Sequence, residues 1–121
     1  MMRRLVAEDL ATEPVLVNLF FGNLAGLQPT ALELGVAVER LPDDAVWSGA
    51  GLGDYQGVAH LLAIASGGGV RTGLEDSIHP HGTRDRLATN AELVEQAHGM
   101  LAVLGRPVMT PAQLRERLGI A

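Results

Sequence analysis

The sequence contains no cysteine, few aromatic residues and no concentrated block of positive charge. The absence of cysteine excludes disulfide bonds and thiolate metal sites. Aromatic residues make up 3% of the 121 residues, which argues against an aromatic-rich β-sandwich. The formal net charge is −5 and the longest basic run is Arg3-Arg4, whereas a nucleic-acid-binding domain needs a concentrated basic face. Nucleic acid is therefore not an expected partner.

Long apolar runs are also missing. No stretch approaches the roughly eighteen apolar residues of a membrane span. Only a short apolar run separates Arg4 from the acidic pair Glu8-Asp9, and a signal peptide needs a longer apolar core. We therefore expect no membrane partner, and we expect the chain to be cytoplasmic.

The sequence does contain 47% hydrophobic residues and 15 glycines. A chain of this length suits one domain with its own core, so we expect residues 1–121 to form a single domain. Three units repeat the same order, in which a short apolar run is followed by a helical pattern. The predicted strands cover residues 15–21, 45–53 and 70–75.

Each predicted strand is followed by a signal for the start of a helix. Thr30 with Glu33, and Thr89 with Glu92, have the spacing of capping boxes. Between them, Asp54 is expected to cap a middle helix. The buried face predicted for that middle helix consists of Val58, Leu61, Leu62 and Ala65.

Strand–helix repetition of this kind predicts parallel βαβ units joined by right-handed crossovers. The expected fold class is therefore α/β. The pattern fits either a small open three-layer domain or part of a (β/α)8 barrel, because closing a barrel takes eight units and typically about 250 residues.

The segment V-R-T-G-L-E-D, residues 70–76, brings three charges to the third predicted strand. In a strand Arg71 and Glu75 share a face and lie about 13 Å apart at roughly 3.3 Å per residue. Gly73 between them has no side chain to obstruct the arginine. Asp76 follows the strand end, where catalytic groups of α/β folds lie. Two interpretations stay open, a structural ion pair with Asp76 in a turn, or a functional site.

Glycine and asparagine in the first two strands have alternative interpretations as well. Gly49, Gly51 and Gly53 alternate along the second strand. They leave volume for a ligand if they face the same side as Arg71, and otherwise they mark a bulge. Asn18 interrupts the first strand and needs hydrogen-bond partners if it is buried. A structural partner is favoured over a substrate.

The four histidines give a weak metal signal. His79 and His81 flank a proline in a polar loop, so a shared metal is the less favoured interpretation. His60 and His98 fall in predicted helices beside apolar residues and are expected to be partly exposed.

Several blocks of the sequence, taken in order, resemble the β-keto acid cleavage enzymes. The resemblance runs from about residue 14 to the C-terminus, and its most specific parts are V-R-T-G-L-E-D and T-N-A-E-L-V. The blocks are P-V-L-V-N-L-F-F-G, L-P-D-D-A-V-W-S-G-A-G-L-G, A-I-A-S-G-G-G-V-R-T-G-L-E-D, L-A-T-N-A-E-L-V and R-P-V-M-T-P-A-Q-L-R-E-R-L-G.

The resemblance implies a zinc-dependent TIM barrel in which this chain forms strands six to eight and the terminal helices, as a C-terminal fragment. The implied reaction converts a β-keto acid and acetyl-CoA into acetoacetate and a new acyl-CoA. By the same resemblance Glu75 is the carboxylate ligand of Zn²⁺, Asp76 is the general base and Arg71 is its ion-pair partner. Asn18 is a secondary candidate for substrate contact.

The sequence also departs from the family. The family's other two zinc ligands are histidines on an early strand that this sequence lacks, and Gly69 and Ser77 stand where histidine and asparagine are frequent. Two hypotheses follow, part of a catalytic barrel or a truncated half-barrel without catalysis of its own. Under both we expect a homo-oligomer, because three units leave a sheet edge and an inner face uncovered.

Overall fold

The computed structural model describes residues 2–11 and 14–120. A short 3-10 turn, Gly53–Tyr55, precedes helix α3. The helices and strands in chain order are α1 (Met2–Ala7), β1 (Leu16–Phe21), α2 (Ala31–Glu39), β2 (Val46–Gly51), α3 (Gln56–Ala65), β3 (Gly69–Val70), α4 (Asn90–Val103) and α5 (Pro111–Arg117).

The strands of the described part form one parallel sheet in the order β1-β2-β3. β1 pairs with β2 from Leu16 opposite Val46 to Phe21 opposite Gly51. Helices α2 and α3 lie between consecutive strands in the chain, as crossover helices do. The predicted α/β class and parallel pairing are confirmed, and a small open sheet of this kind is compatible with part of a barrel.

The third strand was predicted over residues 70–75, and this extent is wrong. β3 ends at Val70. The Gly73 carbonyl accepts hydrogen bonds from the amides of Asp76, at 3.0 Å, and Ser77, at 3.1 Å. These local bonds satisfy backbone groups that a strand would have paired with a neighbour, so the chain turns back within the V-R-T-G-L-E-D segment.

Helix α2 begins as predicted, although its capping box is only half formed. The Thr30 hydroxyl accepts a hydrogen bond from the Glu33 amide at 3.2 Å. The Glu33 carboxylate reaches the Gln28 amide, at 2.6 Å, rather than the Thr30 amide as the prediction required. By contrast, both bonds of the capping box predicted at Thr89 and Glu92 are present at the start of α4.

Helix α3 presents a different face to the sheet from the one predicted. Val58 and Leu61 are exposed, so the predicted buried face is wrong. The predicted cap is also wrong, because Asp54 lies inside the 3-10 turn and its carboxylate pairs with Arg84. The buried side chains of α3 are Gln56, Ala59, His60, Ala63 and Ile64.

The glycines of β2 explain this orientation of α3. A Cβ atom built on Gly49 would lie 2.7 Å from the Cβ of Ala63, and one built on Gly51 would collide with the backbone of Gln56. Both glycines therefore face α3 and allow a close approach of helix and strand. The interpretation that Gly49 and Gly51 leave volume for a ligand is wrong.

The main apolar cluster lies where β1, α2 and α3 meet. Its fully buried members are Phe21, Leu34 and Ala59, one from each of these elements. Partly buried apolar side chains from the same region pack around them, including Trp47 of β2. None of the helices in the described ranges is long and apolar enough to cross a membrane.

Candidate active site

The turn after β3 brings together the three charges of the V-R-T-G-L-E-D segment. The Arg71 guanidinium Nη2 lies 3.0 Å from the Glu75 carboxylate, and its Nε lies 3.2 Å from the Asp76 carboxylate. A second bond runs from Nη2 to Asp76 at 3.5 Å. One guanidinium therefore bridges two carboxylates, which an extended strand would have kept apart.

The two carboxylates of this cluster differ sharply in exposure. The Asp76 side chain is 4% exposed, whereas that of Glu75 is 83% exposed. A buried carboxylate is costly unless it is paired and hydrogen-bonded, and Arg71 supplies that partner. Asp76 is therefore a rigidly held carboxylate, while Glu75 points to solvent where a ligand has access.

The Arg71 guanidinium also lies over the ring of Phe20, 4.8 Å from the ring centroid. Phe20 pairs with Ala50 in the sheet, and the Arg71 amide donates to the Gly49 carbonyl at 3.0 Å. A cation over an aromatic face is attracted by the ring quadrupole. The cluster is thus supported from β1, through Phe20, as well as from β2. The sequence pattern did not single out this role of Phe20.

Asn18 lies on β1 two residues before Phe20, on the same face of the strand. It is exposed rather than buried, so the premise of burial was wrong. Its side-chain oxygen accepts a hydrogen bond from the hydroxyl of Ser48, its pairing neighbour on β2. The structure groups Arg71, Glu75 and Asp76, and it places Asn18 further down the sheet.

A cavity of about 320 Å³ borders the carboxylates. Its volume falls at the lower end of the roughly 300–1,000 Å³ typical of small-molecule sites. An ion pair between Arg84 and Asp54 lies in the same lining, and its hydrogen bond lowers the pKa of Asp54. The lining residues are Gly53, Asp54, Leu74, Glu75, Asp76, Ser77, Ile78, His79 and Arg84.

Two histidines lie close to the charged cluster, on the side that faces helix α3. His60 of α3 is fully buried, and its ring meets that of His81 edge-on with the centroids 5.4 Å apart. Burial lowers the pKa of both imidazoles, most directly by removing water from the charged form. The expectation that His60 is partly exposed is wrong, because α3 is rotated relative to its predicted orientation.

The described residues do not by themselves fit a zinc ion. Catalytic zinc sites typically use three protein ligands, and in residues 2–11 and 14–120 no three carboxylate or imidazole side chains are grouped so as to hold a metal. Glu75 offers one accessible carboxylate, already paired with Arg71. The Nδ1 atom of His79 bonds to the Arg86 carbonyl at 2.8 Å, and the Nε2 atom of His81 is buried.

Comparison with protein families identifies the chain. The model of the β-keto acid cleavage enzyme family matches residues 1–120. This chain belongs to that family. The family membership expected from the sequence is confirmed, and the three charged residues described above lie inside the matched region.

Curated relatives of the β-keto acid cleavage family match most of the chain. It is 30% identical over 116 residues to a 3-dehydrocarnitine:acetyl-CoA trimethylamine transferase of Rhizobium meliloti (strain 1021), covering 96% of this chain and 38% of the relative. It is 31% identical over 119 residues to a 3-keto-5-aminohexanoate cleavage enzyme of Acetoanaerobium sticklandii, covering 98% and 43%. It is 42% identical over 84 residues to a 3-oxoadipate:acetyl-CoA acetyltransferase of Cupriavidus necator, covering 69% and 29%. The chain thus spans about two-fifths of the length of the first two relatives.

Proposed function

We propose that this chain forms one wall of the active site of a zinc-dependent β-keto acid cleavage enzyme. The reaction transfers an acyl group between a 3-keto acid and acetyl-CoA, giving acetoacetate and an acyl-CoA. The observation that carries the proposal is the Arg71 bridge between accessible Glu75 and buried Asp76, next to a cavity. Two of the relatives carry acetyl-CoA in their names, which supports acetyl-CoA as the co-substrate.

Asp76 is the proposed general base. In the balanced reaction the carbon between the keto and carboxyl groups bonds to the acetyl carbonyl of acetyl-CoA, and the CoA thiolate leaves. The thiolate then adds to the original keto carbonyl, the bond from that carbonyl to the shared carbon breaks to give the acyl-CoA, and acetoacetate takes a proton back. The first step requires a proton to leave the carbon between the keto and carboxyl groups. A carboxylate held in place by Arg71 is suited to remove it. The guanidinium of Arg71 then lies close to the negative charge that develops on the substrate.

Glu75 is the zinc ligand that we propose for this chain, because its carboxylate is exposed at the rim of the cavity. The family resemblance assigns the other zinc ligands to histidines of an early barrel strand, and the described residues do not replace them. In this proposal the chain is a single domain forming strands six to eight of a TIM barrel. Asn18 is the proposed substrate contact on the open face, and the proposed location is the cytoplasm.

The role of Asp76 can be tested in a chimera. The chain is joined to the part of the Acetoanaerobium sticklandii relative that the match leaves uncovered, and acetoacetate formation from acetyl-CoA and a 3-keto acid is measured. We expect turnover in the chimera, and a loss of about 10²- to 10⁴-fold in kcat for Asp76→Asn, because a positioned general base contributes roughly that factor. Bound zinc is measured on the same samples.

Glu95→Gln is the matched control, because Glu95 is an exposed carboxylate on helix α4. It should leave turnover and bound zinc unchanged. Glu75→Ala should lose zinc together with turnover. Full activity in Asp76→Asn would show that Asp76 is not the general base. A folded, zinc-loaded chimera without turnover would refute the proposed reaction.

The second candidate is a half-barrel that associates with copies of itself and has no catalysis of its own. It is favoured by the exposed apolar side chains of Leu16 and Phe20 on the open face of β1. For the isolated 121 residues we expect this behaviour, with neither bound zinc nor acetoacetate formation. Stoichiometric zinc and turnover in the isolated chain, both lost in Glu75→Ala, would instead show that an assembly of this chain is active.

A further inference from the structure

Helix α3 places two polar side chains in the interior, under the segment that carries the charged cluster. Gln56 and His60 are four residues apart and so lie on one face of the helix. Both side chains are fully buried, together with the apolar residues Ala59, Ala63 and Ile64 of the same helix. Burying a polar group is unfavourable unless it forms hydrogen bonds. Their partners therefore show what this face of α3 does.

Both partners are the residues that leave the sheet after β3. The Nε2 atom of His60 lies 2.8 Å from the carbonyl oxygen of Arg71. A carbonyl only accepts, so Nε2 must carry the proton and donate it. One residue later, the Thr72 hydroxyl donates to the Gln56 side-chain oxygen at 3.4 Å. Helix α3 thus holds the chain where it begins to turn.

These contacts hold the backbone of Arg71 through both its amide and its carbonyl group. Its amide donates to the Gly49 carbonyl of β2 at 3.0 Å, and its carbonyl accepts from His60. The orientation of a side chain follows from the backbone that carries it. The guanidinium reaches Asp76 from this backbone orientation, which the bonds to Gly49 and His60 hold just beyond the end of β3 at Val70.

We propose that His60 is a positioning residue for the proposed base, acting through the Arg71 carbonyl to hold the Arg71 guanidinium against Asp76. The proposal rests on the proposed function only in so far as Asp76 is called the base. The hydrogen bonds among His60, Arg71 and Asp76 do not depend on that function. No residue pattern in the sequence assigns this role, because His60 falls among apolar positions of an ordinary helix.

The surroundings of His60 favour the tautomer that this role requires. The ring of His81 packs edge-on against it, and Gly57 lets the His81 ring approach α3 closely. Within the described part of the chain the Nδ1 atom of His60 is buried without a hydrogen-bond partner. Burial lowers the pKa of His60 and outweighs the opposing effects of the bond to the Arg71 carbonyl and of the Asp76 charge, while the nearby His81 lowers it further. The imidazole is therefore neutral near neutral pH, with its single proton on Nε2.

The test follows the Arg71–Asp76 bond by NMR and does not depend on turnover. In the ¹⁵N-labelled chain of residues 1–121, the Nε–H resonance of Arg71 is assigned by its loss in Arg71→Lys, and its exchange with solvent is measured. We expect exchange to be about tenfold faster in His60→Leu, because the Arg71 carbonyl loses its donor. His60→Gln should restore near-native exchange, since an amide nitrogen of glutamine can occupy the place of Nε2.

Ile64→Val is the matched control, since it loosens the buried face of the same helix and removes no side-chain hydrogen bond. It should leave the exchange of Arg71 Nε–H unchanged. Equal acceleration in Ile64→Val and His60→Leu would mean that His60 only stabilises the fold, and the proposal would fall. Native exchange in His60→Leu, or no recovery in His60→Gln, would overturn it as well.

A measurement on the unmutated chain covers the case in which His60→Leu does not fold. Long-range ¹H–¹⁵N spectra of the histidine rings should show His60 as the neutral form protonated on Nε2 at about pH 7. A proton on Nδ1 alone would contradict the donor role. If these results hold while the chimera shows no turnover, the positioning network stands and the proposed function fails. If instead the chimera shows turnover while these results fail, the proposed function stands and the positioning role of His60 fails.

Discussion

Arg71 explains how a mostly apolar chain tolerates three charges in one short segment. Its guanidinium contacts Glu75, Asp76 and the ring of Phe20 at the same time. The pairing offsets the cost of burying Asp76, while Glu75 stays exposed. The structural ion pair is therefore present, and the proposed functional site would use the same group of side chains.

At the residue scale, the buried histidines make stability depend on pH. The pKa of His60 and that of His81 lie below the ordinary value of 6.5 in the folded state. As the pH falls through that value, the unfolded chain binds protons that the folded chain does not. The free energy of unfolding should therefore fall below about pH 6.5, by at most about 1.4 kcal/mol per pH unit for each histidine. Urea unfolding between about pH 7.5 and pH 5 measures this slope.

The histidine variants separate this effect from the titration of carboxylates. The double variant His60→Gln, His81→Gln should lose the slope in this interval, whereas His98→Gln, at an exposed position of α4, should keep it. The pKa of Glu92 is lowered from 4.5 by hydrogen bonds at the α4 cap, so its protonation affects only more acidic solutions. An unchanged slope in the double variant would show that other groups cause the acid sensitivity.

At the scale of elements, the fit of α3 on β2 decides where the site residues lie. Gly49 and Gly51 let the helix approach closely, and this approach turns Gln56 and His60 inward. At the other end of α3, the guanidinium of Arg106 donates to the carbonyls of Ile64, Gly67 and Gly68. An arginine from beyond α4 thus donates to carbonyls at and just after the end of α3, where a helix leaves backbone acceptors exposed.

A pair of glycine substitutions tests this packing. Gly51→Ala should lower the free energy of unfolding by about 1–3 kcal/mol, because the new methyl group would meet the backbone of Gln56 and force α3 away from the sheet. Gly35→Ala, in the middle of α2 with no heavy atom within 4 Å of the added Cβ, should raise it by about 0.5–1 kcal/mol. Urea unfolding of both variants measures the difference. A neutral Gly51→Ala would mean that α3 is not pressed against β2.

At the scale of the whole molecule, the sheet is open on the side of β1. Within the described residues β1 is an edge of the sheet, and Leu16 on its open face is 56% exposed. Unpaired strand edges with apolar side chains favour association with another chain. In the proposed barrel the remaining strands would cover this face, and in the isolated chain we expect a second copy to cover it.

Self-association can be tested at this face by sedimentation equilibrium over a range of concentrations. The isolated chain should associate, and Leu16→Thr should raise the apparent dissociation constant by about tenfold, because it removes apolar surface from the contact. Leu32→Thr is the control, because Leu32 is the same residue type and is even more exposed but lies on helix α2. A monomeric wild-type chain, or equal effects of both variants, would contradict association through β1.

The sequence alone was sufficient for the family, the α/β class, the first two strands and the helix start at Thr89. The family follows from the resemblance of whole sequence blocks. The class, the strands and the helix start depend on local signals, such as apolar runs, turn glycines and a capping box whose two residues lie three apart. The V-R-T-G-L-E-D segment was also singled out correctly as the charged cluster. Its period-two interpretation failed because bonds to Gly73 replace the strand.

Only the tertiary structure decided which side of α3 is buried and how the three charges meet. The first depends on the close approach of α3 to Gly49 and Gly51. The second combines the local turn at Gly73 with the ring of Phe20, which lies under Arg71 from a distant strand. The sequence pattern of α3 favoured its large apolar side chains for burial, but a close approach to glycine accommodates the small and polar face instead. His60, read as a surface position, became the donor to Arg71 for that reason.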